Sequence, residues 1–347
     1  MKKGSLLKQS QTLFITGGLG YLGSALAQRA IREGYTVVLY DILRYYQDAP
    51  HIIREMLKGL KNKKRMFTVV RGDTRNNVFL RKTLKRRCPS WVIHFGDLVG
   101  VYACENNPAL THDINWRGTK NVVDACTDYG IPLLYNSSSS VYGARGKGCR
   151  MKETDILPPS TDLYCAHKIL AERYIQKKRK SGLRAIVFRP ATVCGPAPRM
   201  RLDLLPNHFT YVAICKRAIR LAQLHAGRAV MDINDLIDAY MKVIIRSAWR
   251  HPVYNVGHYS WSKEKYALAI QRRTKCDIVV DEHVGDARNL GIDTSRFEKE
   301  FRWKPKVSFT ESIEAIVEWV KKNAESIERN NYRGVVNMPL RVWHRLL

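Results

Sequence analysis

The sequence is short of acidic residues, of paired cysteines and of long apolar runs. Its 347 residues contain 31 Asp and Glu against 59 Lys and Arg, a formal net charge of +28. So basic a chain favours anionic partners such as nucleotides or nucleic acid, but the charge says nothing about the fold. The apolar runs are interrupted by Lys, Arg or Pro, so no membrane-spanning helix is expected.

The cysteines argue against a disulfide framework and against a structural zinc site. The eight cysteines are scattered, and none forms a CxxC pair or a cluster with zinc-ligand spacing. The amino-terminal segment begins with basic residues, but its apolar stretch is brief and has no small-residue cleavage pattern, which argues against a signal peptide. We therefore expect a cytoplasmic protein with reduced thiols and no metal site.

A repeated alternation of apolar runs and helical patterns fills the first half of the chain. Strands are expected at residues 12–16, 36–41, 67–71, 91–95, 133–137 and 185–188, and helices at 20–33, 115–129 and 164–179. The strands are apolar along most of their length instead of alternating. They therefore predict an α/β fold with a doubly wound parallel sheet of the Rossmann type.

A glycine-rich segment follows the first predicted strand. Residues 16–23 read TGGLGYLG and open the first predicted helix, which is the context that a dinucleotide-binding loop requires. Glycines at the first positions allow a tight turn whose N–H groups approach a pyrophosphate, and the last glycine lets the helix pack closely on the strand. We predict that this loop binds the cofactor through Gly17, Gly20, Tyr21, Leu22 and Gly23.

Two acidic residues at later strand ends extend the cofactor prediction. Asp41 ends the second strand, where a carboxylate accepts both ribose hydroxyls and repels a 2′-phosphate, so NAD is favoured over NADP. Arg44 lies close by in sequence and could reverse that preference. Asp73 ends the third strand and could accept a hydrogen bond from the adenine amino group, although a simple turn explains it nearly as well.

A tyrosine and a lysine four residues apart predict a proton-transfer pair. Tyr164 and Lys168 share one face of a predicted helix. An ammonium beside a phenol favours the phenolate and lowers the pKa of the tyrosine, which makes it a usable base near neutral pH. The same spacing occurs at positions 174/178 and 259/263, but only Tyr164 follows a Pro-Pro loop and a strand end with four serines.

The serine run at residues 137–140 lies at the carboxyl end of the fifth predicted strand. Hydroxyl groups at that end of a parallel strand face the ligand crevice, where they can orient a substrate hydroxyl or carbonyl against the tyrosine. We assign Ser139 to substrate binding on this ground. Without the Tyr/Lys pair downstream, the run would be no more than a serine-rich turn.

In combination these motifs resemble a known family. The carrying motifs include TGGLGYLG at 16–23, RGD at 71–73, VIHFGD at 92–97, SSSSVYG at 137–143, YCAHK at 164–168 and FRPATVCGP at 188–196. They are similar to those of the extended short-chain dehydrogenase/reductases, specifically the NAD-dependent epimerase/dehydratases of nucleotide sugars. The likeness runs from about residue 12 to residue 320, and it implies NAD, a nucleotide-sugar substrate and a homodimer.

The resemblance also implies roles for individual residues. Tyr164 would remove the proton of a sugar hydroxyl, Lys168 would lower its pKa and hold the nicotinamide ribose, and Ser138 stands where the family has its catalytic Ser or Thr. The same matching assigns substrate-site positions to Asn115, Arg228 and Arg288. One departure is Asp97, at a position beside the cofactor where the family commonly has alanine.

Breaks in the sequence predict two domains. An NAD-binding Rossmann domain is expected at residues 10–195, with a segment at about 229–260 returning to it. A smaller carboxyl-terminal α/β substrate domain would comprise 196–228 and 261–325, and residues 326–347 would form a surface tail.

The residues after Ser138 favour epimerisation. In the family the 4,6-dehydratases typically have Asp-Glu there, whereas this chain has Ser139 and Ser140, whose hydroxyls are too weakly acidic to replace a carboxylate pair. Hydride abstraction by NAD and return to the opposite face of a keto-sugar needs only Tyr164, Ser138 and the cofactor. An NAD(P)H-dependent reductase or a dehydratase acting on a nucleotide sugar is the alternative.

A basic nucleic-acid binder on the same fold is the alternative from another class. Residues 54–87 hold 13 Lys and Arg against two acids, and such patches could track phosphates. A solvated charged surface is the plainer interpretation, because no aromatic-interleaved RNA motif is visible. The Tyr164, Lys168 and Ser138 set would also be superfluous in a pure binder.

Overall fold

A seven-stranded parallel sheet forms the framework of the protein. The computed structural model describes residues 11–44, 46–60, 66–144, 149–160, 162–280, 291–329 and 335–336. The strands of these ranges are β1 Thr12–Thr16, β2 Thr36–Asp41, β3 Phe67–Arg71, β4 Trp91–His94, β5 Leu133–Asn136, β6 Arg150–Met151, β7 Ala185–Pro190, β8 Thr192–Cys194, β9 Ala218–Leu221, β10 Gly227–Asp232, β11 Val253–Val256, β12 Tyr259–Ser262, β13 Asp277–Val280 and β14 Gly291–Ile292. The strand order of the main sheet is β11-β7-β5-β4-β1-β2-β3.

Helices cover the sheet and build the second lobe. They are α1 Tyr21–Arg32, α2 Ala49–Leu57, α3 Asn77–Arg87, α4 Val101–Glu105, α5 Pro108–Thr111, α6 Thr119–Asp128, α7 Leu163–Lys180, α8 Leu205–Cys215, α9 Ile233–Arg246, α10 Lys263–Thr274, α11 Ser295–Phe301 and α12 Phe309–Arg329. Short 3₁₀ turns lie at Tyr46–Asp48 and Ser139–Tyr142, and a π-helical turn lies at His112–Gly118. No helix in the described part of the chain is both long and apolar enough to cross a bilayer.

Side-chain caps determine where the important helices begin. The carboxylate of Asp162 accepts a hydrogen bond from the backbone N–H of Cys165 at 2.8 Å, and Asp232 does the same for Asn234 at 2.7 Å. Each cap satisfies an N–H group that the first helical turn leaves without a backbone partner. The Asp162 cap starts α7 at Leu163 and so places Tyr164 in its first turn.

The strand order reverses at β1, and this reversal opens the ligand crevice. Strand β1 pairs in parallel with β2 on one side and with β4 on the other. In such sheets ligands bind outside the carboxyl ends of the strands at the point where the order changes. The central strands are buried on both faces, with Leu13, Phe14 and Ile15 fully enclosed, which confirms the predicted Rossmann-type α/β sheet.

A smaller lobe is built from the second half of the chain. Strand β10 pairs in parallel with β8 and antiparallel with β12, and β13 pairs in parallel with β9. Helices α8, α10 and α12 pack against one another beside these strands. Strand β11 returns to the edge of the main sheet beside β7. This topology supports the proposed division into a cofactor domain and a substrate domain, which remains a proposal.

The structure corrects two sequence expectations about elements. The helix expected from residue 115 begins instead as the π-helical turn His112–Gly118, before α6. The surface tail expected from residue 326 is wrong at its start, because α12 continues to Arg329 and Ile327 is buried. Ile327 extends the apolar face of α12 that Ile313 and Val320 begin, and that burial keeps the helix on the core.

Candidate active site

A crevice of about 970 Å³ lies at the carboxyl ends of the central strands. The glycine loop, Asp41, Tyr164 and Lys168 all line it. Arg228 lines the part formed by the smaller lobe. The crevice therefore connects the predicted cofactor residues with the predicted proton-transfer pair.

The glycine loop leaves no room for side chains at two positions. Gly17 has φ of +63°, a left-handed conformation that glycine adopts without strain, and its carbonyl accepts a hydrogen bond from the N–H of Gly20 at 2.9 Å. A Cβ atom at Gly23 would overlap the same carbonyl oxygen. The turn leads into the amino terminus of α1, where free N–H groups and the helix dipole favour a phosphate group. The loop therefore fits the pyrophosphate of NAD.

Asp41 is held at the end of β2 by the backbone around it. Its carboxylate accepts hydrogen bonds from the N–H of Leu19 at 3.0 Å and of Leu43 at 2.8 Å. Burial raises the pKa of Asp41, and those two hydrogen bonds and the charge of Arg199 offset the effect in part. The carboxylate thus lines the crevice beside the glycine loop, at the place where a cofactor ribose is expected.

The remaining predicted cofactor residues lie in the same region. Asp73 lines the crevice, but its carboxylate is engaged by the Arg75 guanidinium, with Nε to Oδ2 at 2.9 Å. Burial raises the pKa of Asp73, yet the hydrogen bonds and charge of Arg75 outweigh it and leave the pKa below its usual value. The Tyr21 hydroxyl donates to the Gly195 carbonyl at 2.7 Å and ties the loop to the smaller lobe, and Leu22 lines the crevice.

The structure brings the three predicted proton-transfer residues together. All three line the crevice, and the Nζ atom of Lys168 lies 5.8 Å from the centroid of the Tyr164 ring. The Ser138 hydroxyl lies near enough to the Tyr164 phenol to lower its pKa. The competing pair on the same helix is engaged elsewhere, since Tyr174 donates to Asp124 at 2.6 Å and Lys178 lies 2.8 Å from it. The Pro-Pro loop and the serine run therefore identified the tyrosine that lines the crevice.

The expected low pKa of Tyr164 is wrong for this structure. Burial raises the pKa of the phenol above its usual value, and the neighbouring Cys165 thiol and Asp97 carboxylate add to that rise. The Lys168 ammonium and the Ser138 hydroxyl lower the pKa, but not enough to offset the effect of burial. The Lys/Tyr spacing predicts the effect of the ammonium, whereas the desolvation of an enclosed phenol arises only in the folded chain.

Lys168 has a carboxylate partner that the sequence analysis did not connect with it. Its Nζ atom lies 2.5 Å from Oδ2 of Asp97 and 2.5 Å from the carbonyl oxygen of Asn136. Burial lowers the pKa of Lys168, but the charge and hydrogen bond of Asp97, together with Tyr135 and Tyr164, outweigh this and leave the pKa well above its usual value. Lys168 is therefore a buried ammonium in contact with a buried carboxylate.

A second buried ion pair is hydrogen-bonded to the first serine of the serine run. Glu172 binds the Arg189 guanidinium, with Oε2 to Nη2 at 2.6 Å, and accepts a hydrogen bond from the Ser137 hydroxyl. Glu172 lies four residues after Lys168, which itself lies four residues after Tyr164, so one face of α7 carries all three. The sequence analysis missed Glu172, although this continued spacing was the signal that could have found it.

The predicted substrate residues have different outcomes. Ser139 and Arg228 line the crevice. Asn115 does not, because it is buried in the π-helical turn, where its amide bonds both the N–H and the carbonyl of Leu98 at 2.7 and 2.8 Å. Its assignment to substrate binding is corrected: Asn115 holds the loop after β4. Arg288 lies outside the described residues.

The sequence analysis also missed several cations in the crevice. The residues concerned lie outside the motifs quoted above, and the folded chain brings them to the crevice. They are Arg199, Arg201, Arg220 and Lys263. Arg201 is paired with Asp203 at 2.8 Å. Within the described ranges, no group of three or more His, Cys, Asp or Glu side chains is arranged to hold a metal ion.

Comparison with known proteins identifies the family. The model of the NAD dependent epimerase/dehydratase family matches residues 13–257. The chain belongs to this family. The predicted resemblance is thereby confirmed, as are NAD as the cofactor and the assignment as an NAD-dependent enzyme.

Individual relatives of this family member are distant. UDP-arabinose 4-epimerase 1 of Arabidopsis thaliana is 25% identical over 92% of this chain and 80% of its own length. CDP-paratose 2-epimerase of Salmonella typhi is 24% identical over 88% of this chain and 98% of its own length. A UDP-glucose-4-epimerase of Stenotrophomonas maltophila, with bound NAD and formylated UDP-arabinopyranose, has a TM-score of 0.80 at 19% identity, covering 91% of this chain and 99% of that one.

Proposed function

We propose that this family member is an NAD-dependent nucleotide-sugar epimerase. The observation that carries the proposal is that Tyr164 and Ser138 line the same crevice as the glycine loop, with the Lys168 ammonium beside the Tyr164 ring. The names of the relatives support it, because those compared above are epimerases of UDP- or CDP-sugars.

The proposed mechanism uses this chain for proton transfer and orientation. Ser138 orients the reacting hydroxyl of the sugar, and Tyr164 takes its proton and later returns it. NAD, when bound, supplies the acceptor and donor of the hydride that leaves one face of the carbon and returns to the other. Lys168 keeps a positive charge beside the phenol as its negative charge develops.

The carboxylates of the crevice support epimerisation over water elimination. The two positions after Ser138 carry serines, and elimination would need a free acid and a free base near the sugar. Each carboxylate among the described lining residues is engaged by a backbone N–H group or a cationic side chain. These carboxylates are Asp41, Asp73, Asp97, Asp162 and Asp203.

The cations of the smaller lobe support a substrate with a diphosphate. Arg220, Arg228 and Lys263 belong to elements of the smaller lobe and line the crevice. A diphosphate with two negative charges gains both hydrogen bonds and Coulomb energy from such cations. We assign these cations to the nucleotide part of the sugar nucleotide.

We further propose a cytoplasmic homodimer. All eight cysteines are free, which suits a reducing compartment. Tyr102 on α4 and Leu170 on α7 are 49% and 37% exposed, and these two helices pack side by side. Replacing Leu170 by Arg is expected to convert a dimer into a monomer in analytical ultracentrifugation, and a wild-type monomer at every concentration would end this proposal.

The test of the epimerase proposal is a screen of nucleotide sugars with the purified protein, with product stereochemistry determined by NMR. Tyr164→Phe is expected to lower turnover by roughly 10²- to 10⁴-fold, the usual contribution of a general base. Tyr174→Phe is the matched control, because it removes a phenol of the same helix that binds Asp124. Net consumption of NADH or NADPH would indicate a reductase, and equal activity of the two variants would remove Tyr164 from the mechanism.

A further inference from the structure

The ion pair between Asp97 and Lys168 is nearly inaccessible to solvent. The two side chains are 1% and 3% exposed, and their charged atoms are 2.5 Å apart. An ammonium enclosed in this way without a counterion would lose its hydration with nothing to replace it, which strongly disfavours the charged form. Asp97 therefore permits Lys168 to remain charged at this depth.

Asp97 is held in turn by groups on the side away from Lys168. The Thr119 hydroxyl approaches Oδ1 of Asp97 at 3.4 Å and lies 2.9 Å from Nε2 of His94. The other ring nitrogen of His94 lies 2.6 Å from the Thr16 hydroxyl, at the start of the glycine loop. The carboxylate is thus the link between the loop that fits the cofactor and the lysine beside the phenol.

The surroundings of the pair contain few other ionic groups. The groups that influence Tyr164 or Lys168 from the neighbouring elements are His94 on β4, Cys104 on α4, Tyr135 on β5, Cys165 on α7, Arg201 in the smaller lobe and Tyr240 on α9. Of these Arg201 is a permanent cation, and Asp203 pairs with it. Asp97 is therefore the carboxylate in direct contact with the ammonium that faces the phenol.

We propose that Asp97 is a positioning residue of the proton-transfer centre, which holds the Lys168 ammonium against the Asn136 carbonyl and offsets its charge beside Tyr164. The proposal rests on the proposed function in that Tyr164 is taken as the base. It explains how a carboxylate can occupy a position next to the cofactor crevice, since its charge is used within the protein.

This arrangement has a direct consequence for the titration of Tyr164. An ammonium whose charge is offset stabilises a nearby phenolate less than an unpaired ammonium does, so Tyr164 releases its proton at a higher pH. Replacing Asp97 by Asn keeps a side chain of the same size and an oxygen that can accept from Lys168, but it removes the negative charge. The midpoint of the Tyr164 titration is then expected to fall.

The experiment is NMR titration of protein with isotope-labelled tyrosine rings, in which the Tyr164 signal is assigned by its absence in Tyr164→Phe. Asp97→Asn is expected to lower the midpoint by about one pH unit or more. Asp97→Ala is the second variant and is expected to shift it in the same direction. Asp128→Asn, which removes the partner of Arg81 at an exposed site, is the control that leaves the midpoint unchanged.

A midpoint that stays in place or rises in both Asp97 variants overturns the proposal. The titration needs no substrate, so it separates this proposal from the epimerase proposal, whose failure would show as absent turnover. A second measurement uses the pH profile of kcat/KM once a substrate is known. Its acidic limb is expected to shift to lower pH in Asp97→Asn, a change that a merely structural role would not produce.

Discussion

The carbonyl oxygen of Gly17 occupies the space that a Cβ atom on residue 23 would need. The oxygen is a backbone atom and a Cβ atom is bonded directly to the backbone, so neither can move away without deforming the turn. Gly23→Ala is therefore expected to weaken NAD binding by at least about tenfold, because the N–H groups of the loop would no longer converge. Calorimetric titration with NAD measures this directly.

Gly34→Ala is the matched control for the loop variant. Gly34 has φ of +98°, and nothing lies within 4 Å of a Cβ atom built there. The substitution is expected to cost about 1 kcal/mol of stability through backbone strain and to leave NAD affinity unchanged. Equal losses of NAD affinity in the two variants would show that the Gly17–Gly23 contact has no special role.

The position of Asp41 predicts discrimination against NADP. Its buried carboxylate is directed by the N–H groups of Leu19 and Leu43. A 2′-phosphate would bring like charges together, so NAD is expected to bind at least about tenfold more tightly than NADP. Asp41→Asn should narrow that ratio, mainly by improving NADP binding. A ratio that is unchanged in the variant, or a wild-type preference for NADP, would contradict this assignment.

The Glu172–Arg189 pair predicts a large loss of stability when it is broken. Both side chains are about 95% buried, so Glu172→Gln leaves a guanidinium enclosed without its counterion. The free energy of unfolding in urea is expected to fall by about 3 kcal/mol. Asp113→Asn breaks the exposed pair with Arg117 and is expected to cost under about 1 kcal/mol. Similar values for the two variants would contradict the buried role of Glu172.

The burial of His94 predicts an acid-sensitive step in stability. Burial disfavours the imidazolium and lowers the pKa of His94 to about 4. The unfolded chain takes up this proton near pH 6.5 and the folded protein does not, so the free energy of unfolding falls as the pH drops from about 6.5 to about 4. The loss is about 3 kcal/mol in total.

His94→Gln removes this titration and is expected to flatten that part of the stability profile. The comparison is between the pH dependence of the two proteins and not between their absolute stabilities, because the variant also alters the hydrogen bonds to Thr16 and Thr119. Parallel profiles between pH 7 and pH 4 would show that His94 takes up its proton in the folded protein as readily as in the unfolded chain.

The strands and the cofactor loop could be predicted because their signals are local. Strands β1, β2 and β3 have the predicted bounds, and β4 and β5 end one residue earlier than expected. A strand buried on both faces has to be apolar throughout, and a turn around a phosphate has to be rich in glycine. The π-helical turn could not be predicted, because one extra residue in a helical turn leaves little trace in apolar periodicity.

The parts of the site that depend on contacts between residues far apart in the chain could not be predicted from the sequence. Asp97 and Lys168 are separated by 71 positions, and only the pairing of β4 with β5 and the packing of α7 bring them together. The sequence analysis noted Asp97 as an unusual charge but could not identify its partner. The rise in the pKa of Tyr164 could not be predicted either, because it comes mainly from burial, which is a property of the folded chain.

The most direct test of the account follows the hydrogen on the inverted carbon. Once a nucleotide sugar is found to turn over, the reaction is run to equilibrium in heavy water and the product is analysed by NMR. The account predicts that the inverted carbon keeps its original hydrogen, because that hydrogen is transferred as hydride to NAD and returned. Only the hydroxyl proton is transferred to Tyr164. Deuterium on that carbon would contradict the account, since it would show that the carbon itself loses a proton to solvent.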